Sequence, residues 1–451
     1  MHHTKDMLFL KIILLLALPL LACGFFQTAP TATPRPVYTM ARQPTRSPTV
    51  TRTPLSPTQA ARRTRFAQTQ AAQTGTTATP TQIVGASPTE TRTIGPTRTR
   101  ANTKTPTITV TPTPEFPRID YVRIPAPALA NNILNESLER DLTVYLPTSY
   151  IDKSMRYPVA YYLLDLGLEG RDVTITNEEI QKDVATDLSK EMIVVIISGV
   201  NSLGGSLYVN SPISGNWDDF IAQDVVRYID ARYRTIAAPA SRGISGYGVG
   251  GFGALSIAMR HPDVFSVVYA ISPTLFDADG LAASPLFASP LTIDAVLDLQ
   301  ARELALPTAE AIPDMQHAGD AQFSIAYGVA FAPNLNAPPP FMDYPYYRQN
   351  GRVFRDEAIW QRWETGFGAI PDKILQYQTN LRQLHAIGLG CGEHPPYLWI
   401  LTGCKDFSTR LTTAGITNQL ISFPGGIEPT LDQGIRAFVL PFFSEKLMFN
   451  P

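Results

Sequence analysis

A Thr- and Pro-rich segment between residues 27 and 117 limits how much of this 451-residue chain can fold. It consists mainly of Thr, Pro, Ala and Arg in a loose Thr-Pro repeat, with few large apolar residues. Because the segment has little apolar surface to bury, it cannot offset the conformational entropy that ordering would cost, and its prolines favour extended backbone. We therefore expect residues 23–117 to be a disordered stalk and residues 118–451 to form the folded domain.

The stalk also separates the charges of the chain. Between residues 31 and 114 there are ten Arg and one Lys against a single carboxylate, Glu90, although the whole chain has a net charge of -2. The remainder is therefore acidic by roughly a dozen charges. The basic stalk has no interleaved aromatic side chains, so we expect no nucleic-acid partner. A solvated tether kept open by its charge is favoured over a segment that binds an anionic surface.

Residues 1–22 have the pattern of an export signal. Lys5 precedes an apolar run over residues 7–21, which is too short and too poorly flanked for a stable transmembrane helix. The run ends in Leu-Leu-Ala before Cys23, and this resembles the lipobox of bacterial lipoproteins. The resemblance implies that Cys23 is acylated and that membrane lipid is a partner. It also implies an exported, lipid-anchored protein with its domain on the extracytoplasmic side. An ordinary cleaved signal with an incidental cysteine is the alternative.

Three cysteines are present, so an acylated Cys23 leaves Cys391 and Cys404 as a candidate pair. In an oxidising compartment they are candidates for a disulfide. Two buried thiols are the alternative interpretation.

From Ile119 onward, short apolar runs alternate with helical patterns, which predicts a mainly parallel α/β sheet flanked by helices. Strands are predicted at residues 141–146, 157–164, 192–197, 264–271, 397–401 and 419–423. Helices are predicted at residues 220–233, 253–261 and 431–447. Between residues 276 and 380 the pattern loosens, with many aromatics and prolines, and we expect a helical cap inserted before the last strands.

Several short motifs follow one another along this domain at residues 157–159, 210–220, 229–235, 250–255, 260–265 and 423–426. Together they resemble the esterase branch of the α/β-hydrolases, which includes S-formylglutathione hydrolase and enterochelin-esterase-like proteins. The resemblance covers residues 142–447 and implies an α/β-hydrolase fold. It also implies a serine, aspartate and histidine triad, with the serine in a G-x-S-x-G turn between a strand and a helix.

The nucleophile position of this turn holds glycine. The turn reads Gly246-Tyr247-Gly248-Val249-Gly250, so Gly248 has no side chain with which to attack a carbonyl. By the same resemblance Ile427 occupies the histidine position and Pro395 the acid position. The last histidine is His394, so the final 57 residues contain no general base of this type. Glu393, or a shift of one residue, is an alternative source of the carboxylate.

Two further positions bear on the chemistry. Where the family carries a His-Gly turn that helps to form the oxyanion hole, this chain has Asp165 and Leu166. A carboxylate there would repel a developing oxyanion, unless Asp165 points to solvent. Ser245, three residues before Gly248, is a fallback nucleophile, but strand alternation predicts a packed strand serine below the tip of the turn.

We therefore predict a non-catalytic pseudo-esterase that binds a small-molecule ester, a glycan or a protein. Tyr247 and Val249 in the turn, with Phe341, Tyr344, Trp360 and Trp363 in the cap, are candidates for lining its pocket, and cap packing is the alternative for the aromatics. An active hydrolase or acyltransferase that uses His394 with Glu393 and an activated water is a second hypothesis. A structural spacer is the third. No metal-ligand spacing or nucleotide motif is present, so we expect no metal and no cofactor.

Overall fold

Eight strands form the central sheet of this protein. The computed structural model describes residues 118–450 apart from 171–178, 180–181, 185, 278–279, 305, 307–309, 312–314, 316–319 and 425–430. The export signal, Cys23, the stalk and Ile427 therefore lie outside the described residues.

In chain order the strands are β1 (Arg118–Pro125), β2 (Glu139–Leu146), β3 (Val159–Leu163), β4 (Ile193–Ile197), β5 (Asn210–Ser211), β6 (Gly215–Asn216), β7 (Arg242–Tyr247), β8 (Val267–Ile271), β9 (Tyr346–Gln349), β10 (Arg352–Arg355), β11 (Ala386–Gly392) and β12 (Gln419–Phe423).

The strand order in the sheet is β1-β2-β4-β3-β7-β8-β11-β12, while β5 with β6 and β9 with β10 form two small hairpins. Strand β2 runs antiparallel to β1 and β4, and every other neighbouring pair in the sheet is parallel. The mainly parallel α/β sheet predicted from the sequence is therefore confirmed. The carboxyl ends of β3, β7, β8 and β11 meet at one edge, where open parallel sheets commonly bind ligands.

Helices cover both faces of the sheet. Helix α1 comprises three consecutive pieces, Trp217–Asp219, the π-helical Phe220–Val225 and Val226–Arg232, and α2 spans Val249–Arg260. After β8 come α3 (Pro285–Ala288), α4 (Pro290–Glu303), α5 (Asp320–Phe331), α6 (Glu357–Glu364), α7 (Ile370–Gln376) and α8 (Gln378–Leu381). Helix α9 (Leu398–Thr413) lies between β11 and β12, and α10 closes the chain as Leu431–Gly434, Ile435–Val439 and Leu440–Lys446. Within residues 118–450, no described helix is long and apolar enough to cross a membrane.

The sheet has a hydrophobic core on each face, as the continuous apolar strands predict. In β3, Val159, Tyr161 and Leu163 belong to the core that contains α1, α2 and the cap. Ala160 and Tyr162 point the other way, into the core that contains α10. Because successive side chains of a strand alternate faces, β3 is buried on both sides and its position in the sheet is tightly constrained.

Two of the motifs that carry the family resemblance contact each other in the structure. The buried carboxylate of Asp218 in α1 lies 3.1 Å from His261 Nε2 and 2.5 Å from Arg260 Nε. The hydrogen bond to Asp218 is the main cause that raises the pKa of His261, against partial burial, which lowers it. This cluster fixes the carboxyl end of α2 against α1.

The cap occupies the stretch of chain between β8 and β11 and has an aromatic interior. Tyr327 donates its hydroxyl to the Trp363 carbonyl at 2.5 Å and accepts from the Phe367 amide at 3.0 Å. Its ring lies 4.7 Å from that of Phe287 and 5.4 Å from that of Trp363. These contacts connect α3, α5 and α6.

One predicted strand is wrong. Residues 397–401 are not a strand, because Leu398 begins helix α9. The short apolar run was compatible with either element, and the buried Trp399, Gly403, Phe407 and Leu411 show the four-residue spacing of a helix.

Cys404 on this helix is bonded to Cys391 in β11, so the disulfide alternative applies and α9 is linked covalently to the sheet.

Candidate functional site

A sharp turn joins β7 to α2, with Gly248 at its tip. Gly248 has φ 57° and ψ -117°, a conformation that side-chain-bearing residues rarely adopt. Its amide donates to the Ile271 carbonyl at 3.0 Å, and its carbonyl accepts from the Thr274 amide at 3.1 Å. The tip is therefore held by the end of the neighbouring strand β8.

The two flanking glycines are required by close packing. A Cβ atom on Gly246 would lie 2.3 Å from the carbonyl carbon of Gly250, and one on Gly250 would lie 2.1 Å from the Leu163 carbonyl oxygen. Neither distance is sterically possible without movement of the backbone. The turn thus has the compact shape expected of a nucleophile elbow, with Gly248 at its tip.

The side chain of Asp165 lies where a side chain of residue 248 would project. A Cβ atom added to Gly248 would lie 2.6 Å from Asp165 Oδ1 and 2.7 Å from both Cγ and Oδ2. Asp165 Oδ1 also accepts a hydrogen bond of 2.8 Å from the Val249 amide. That amide belongs to the residue after the nucleophile position, the usual source of an oxyanion-hole donor in this fold. The Asp165 carboxylate therefore occupies the space of a side chain at position 248 and accepts the hydrogen bond of the Val249 amide.

Asp165 is partly exposed, and its environment disfavours the charge it carries. Burial raises the pKa of Asp165 to about 6, while hydrogen bonds from the amides of Val249 and Leu166 act in the opposite direction. Within the part of the chain that the structure describes, no Lys, Arg or His forms an ion pair with it. The carboxylate is thus ionised at neutral pH with only backbone dipoles to stabilise it.

The side chain of Asp165 points into the turn and not to solvent, so the open alternative for this residue is resolved. Leu166 follows it and packs over Gly205, since a Cβ atom on Gly205 would lie 2.1 Å from Leu166 Cδ1. The altered oxyanion turn therefore has a carboxylate on one side and a packed leucine on the other.

Three of the candidate residues near the turn are buried in the cores. Ser245 is 0% exposed in β7, between Tyr162 and Tyr269 of the neighbouring strands, which places it below the tip as a packed strand serine. Tyr247 and Val249 were predicted to line a pocket, but their side chains pack into opposite cores of the sheet. The turn directs both side chains towards the cores, and their role in lining a pocket stays a prediction.

The aromatic pocket candidates of the cap also belong to its interior. Trp363 is 1% exposed and donates its indole N–H to the Asp343 carbonyl at 2.9 Å, while Trp360 donates to Glu364 at 2.8 Å. Tyr344 is buried with its ring 5.4 Å from that of Trp363, and Phe341 packs against the same core. All four side chains thus pack in or against the core of the cap, and their role in lining a pocket stays a prediction.

The turn after β11 carries the other candidate positions. Glu393 and His394 are exposed, and Pro395 is partly exposed. The Glu393 amide donates to the Phe423 carbonyl at 3.1 Å, which ties this turn to the end of β12. Pro395 has no acidic group, so the structure brings no carboxylate to the predicted acid position itself.

Sequence reasoning missed two residues that hold this edge together. Thr274 donates its amide to the Gly248 carbonyl, and Ser272 accepts at its hydroxyl oxygen from the Gly392 amide at 3.2 Å. Both lie just after β8 and match no motif, so only the register of β8 between β7 and β11 reveals them.

Among the described residues, no group of three or more His, Cys, Asp and Glu side chains is arranged to hold a metal ion.

Comparison with known proteins identifies the family. Residues 135–426 match the family described as "Putative esterase", and this match spans more than half of the chain. The chain belongs to that family, and it is an esterase-family α/β-hydrolase with a serine-hydrolase scaffold. The fold predicted from the sequence resemblance is confirmed.

Individual relatives match more distantly. Esterase Rv1288 and Esterase MT1326, from two strains of Mycobacterium tuberculosis, are each 28% identical over 150 residues, which cover 32% of this chain and 30% of each relative. The chain thus matches less than a third of the length of these curated relatives. A ferulic acid esterase structure covers 73% of this chain and 99% of its own at 20% identity, with a TM-score of 0.46. FphF, a fluorophosphonate-binding serine hydrolase of Staphylococcus aureus, covers 72% and 98% at 14% identity, with a TM-score of 0.44.

The raised pKa of Asp165 makes a prediction about stability and pH. From about pH 4 to pH 6 the folded chain retains a proton that the unfolded chain has released, so the free energy of unfolding falls as the pH rises through this window. Asp165→Asn removes the charge and keeps an oxygen that can accept from Val249. We expect it to raise the free energy of unfolding by about 2 kcal/mol more at pH 7.5 than at pH 4.

Urea denaturation of both proteins at the two pH values measures this difference. Asp187→Asn is the matched control, because Asp187 is exposed in a turn with φ 56°, a conformation that asparagine also adopts. An equal effect of Asp165→Asn at both pH values would contradict the burial of the carboxylate.

Proposed function

We propose that this chain is an exported, lipid-anchored member of the esterase family that binds a ligand or a partner at the cell envelope without hydrolysing esters. The observation that carries the proposal is the Asp165 carboxylate above Gly248. It supports loss of chemistry at the nucleophile and at the oxyanion hole together, because one side chain occupies both positions.

The missing nucleophile has the largest expected effect on rate. Loss of a triad serine or histidine lowers kcat by about 10⁶-fold in a serine hydrolase. Gly248 offers no oxygen, and Ser245 is fully buried in β7. Ile427 offers no base at the position that the family resemblance assigns to histidine.

The oxyanion position adds a second obstacle. Loss of one oxyanion-hole donor costs about 10²–10³-fold in kcat. Here the Val249 amide already donates to Asp165, and an oxyanion would also meet a negative charge at close range. An ester that entered this site would therefore find neither an attacking group nor a stabilised transition state.

The sequence supports the location of the domain. The apolar run over residues 7–21 and the Leu-Leu-Ala before Cys23 fit a lipoprotein signal, and the Thr/Pro-rich stalk fits a tether between membrane and domain. The disulfide between Cys391 and Cys404 is compatible with an oxidising, extracytoplasmic compartment.

The absence of serine-esterase chemistry can be tested on the full chain. We expect no stoichiometric labelling by a fluorophosphonate probe and no turnover of short-chain p-nitrophenyl esters above the rate without protein. An active serine hydrolase of the same family serves as the positive control. Turnover that disappears with His394→Ala would instead support a relocated active site and would contradict the proposal.

A reversal experiment tests whether the lost positions are assigned correctly. The triple variant Gly248→Ser, Pro395→Asp and Ile427→His should remain inactive, because the new serine would collide with Asp165. Adding Asp165→Gly frees this space and the Val249 amide. We expect the quadruple variant to hydrolyse p-nitrophenyl acetate at least about 10²-fold faster than the triple variant. Equal rates would show that Asp165 does not block the site.

The anchor makes a separate prediction. Cys23→Ser should abolish incorporation of radiolabelled fatty acid and release the protein from the membrane fraction, because a single thiol carries the lipid. Cys404→Ser is the control and should leave lipid labelling unchanged. Membrane association that survives Cys23→Ser would count against lipid anchoring.

A further inference from the structure

The charge of Asp165 has no counter-ion in the described part of the chain. Other buried or half-buried carboxylates there do have cationic partners, as in Arg242 with Asp230, Arg260 with Asp218 and Arg436 with Asp183. Asp165 receives only backbone hydrogen bonds. A charge withdrawn from water without a partner is costly, so Asp165 differs from these three paired carboxylates.

The position of the charge matters as much as its lack of a partner. Asp165 follows β3 and contacts the turn that follows β7, so it lies at the carboxyl edge of the two central parallel strands. Ligands of open α/β sheets bind in the crevice at this edge. Asp165 as a residue is partly exposed at this edge.

This edge of the sheet presents a hydrogen-bond acceptor with negative charge, where an ester-binding site presents hydrogen-bond donors. An oxyanion hole presents N–H donors to a carbonyl or carboxylate oxygen. Here the donor at Val249 is already used, and the Asp165 carboxylate itself occupies the space above Gly248. Carboxylate ligands are repelled, whereas an ammonium group offers three donors and the opposite charge.

We propose that this edge binds a ligand that carries a protonated primary amine, with Asp165 as its counter-ion. The inference rests on the proposed non-catalytic function and names the ligand class for the same site. A charge-assisted hydrogen bond in a partly desolvated site is about twice as strong as a neutral one, which favours an amine over a hydroxyl. One carboxylate supplies too few oxygen ligands for a divalent metal ion.

Three four-carbon probes test the proposal on the full chain: n-butylammonium, n-butanol and butyrate. Titration calorimetry at pH 7.5 should show n-butylammonium binding at least tenfold more tightly than n-butanol, and butyrate should show no binding. Asp165→Asn should reduce the preference for n-butylammonium over n-butanol to less than threefold. Asp187→Asn, an exposed carboxylate ahead of β4, should leave it unchanged.

A titration of the unmodified protein gives an independent readout if a variant folds poorly. The preference for n-butylammonium should fade below about pH 5 as Asp165 becomes protonated, although the probe keeps its charge. Absence of n-butylammonium binding, binding of butyrate at least as tight as that of n-butylammonium, or a preference unchanged by Asp165→Asn would each overturn the inference. The proposed lack of catalysis is tested separately. If any of these results is obtained and the protein still neither reacts with a fluorophosphonate probe nor hydrolyses esters, the non-catalytic proposal stands.

Discussion

The hydrogen bond between the Val249 amide and the Asp165 carboxylate determines what the carboxyl edge of this sheet can hold. In a serine hydrolase of this fold, the same amide stabilises charge that develops on the substrate during reaction. Here the chain supplies a carboxylate of its own, with Oδ1 at 2.8 Å from that amide. The site therefore resembles one already occupied by an anion.

The elbow keeps its shape because the surrounding packing demands it. Gly246 and Gly250 allow β3, β7 and α2 to approach more closely than any Cβ atom would permit. At Gly248 the backbone conformation is a constraint of its own. A residue with a side chain would be strained by about 1–3 kcal/mol at its φ of 57°. An enzyme tolerates that strain to expose its nucleophile. Glycine adopts this conformation without that strain.

Much of this could be predicted from the sequence, for reasons that individual residues illustrate. The continuous apolar runs of β3 and β4 indicate strands buried on both faces, and Gly246, Gly248 and Gly250 indicate the turn. Residues 397–401 were misassigned because a short apolar run fits a strand or a helix, and only the spacing through Leu411 distinguishes them. The cap aromatics were ambiguous for a similar reason, since composition does not show whether a ring faces a pocket or a core. The family resemblance placed Asp165 near the oxyanion hole, but the direction of its side chain, onto residues 248 and 249, is visible only once β3 pairs with β7.

The central claim is that the Asp165 carboxylate occupies the space of a side chain at position 248. A double-mutant cycle of Gly248→Ala and Asp165→Gly, followed by urea denaturation, measures this directly. The positive φ penalises alanine equally in both backgrounds, so it cancels from the coupling energy. We predict that Gly248→Ala lowers the free energy of unfolding by at least about 1 kcal/mol more when Asp165 is present than when it is replaced. Additive effects, within about 0.5 kcal/mol, would contradict the account.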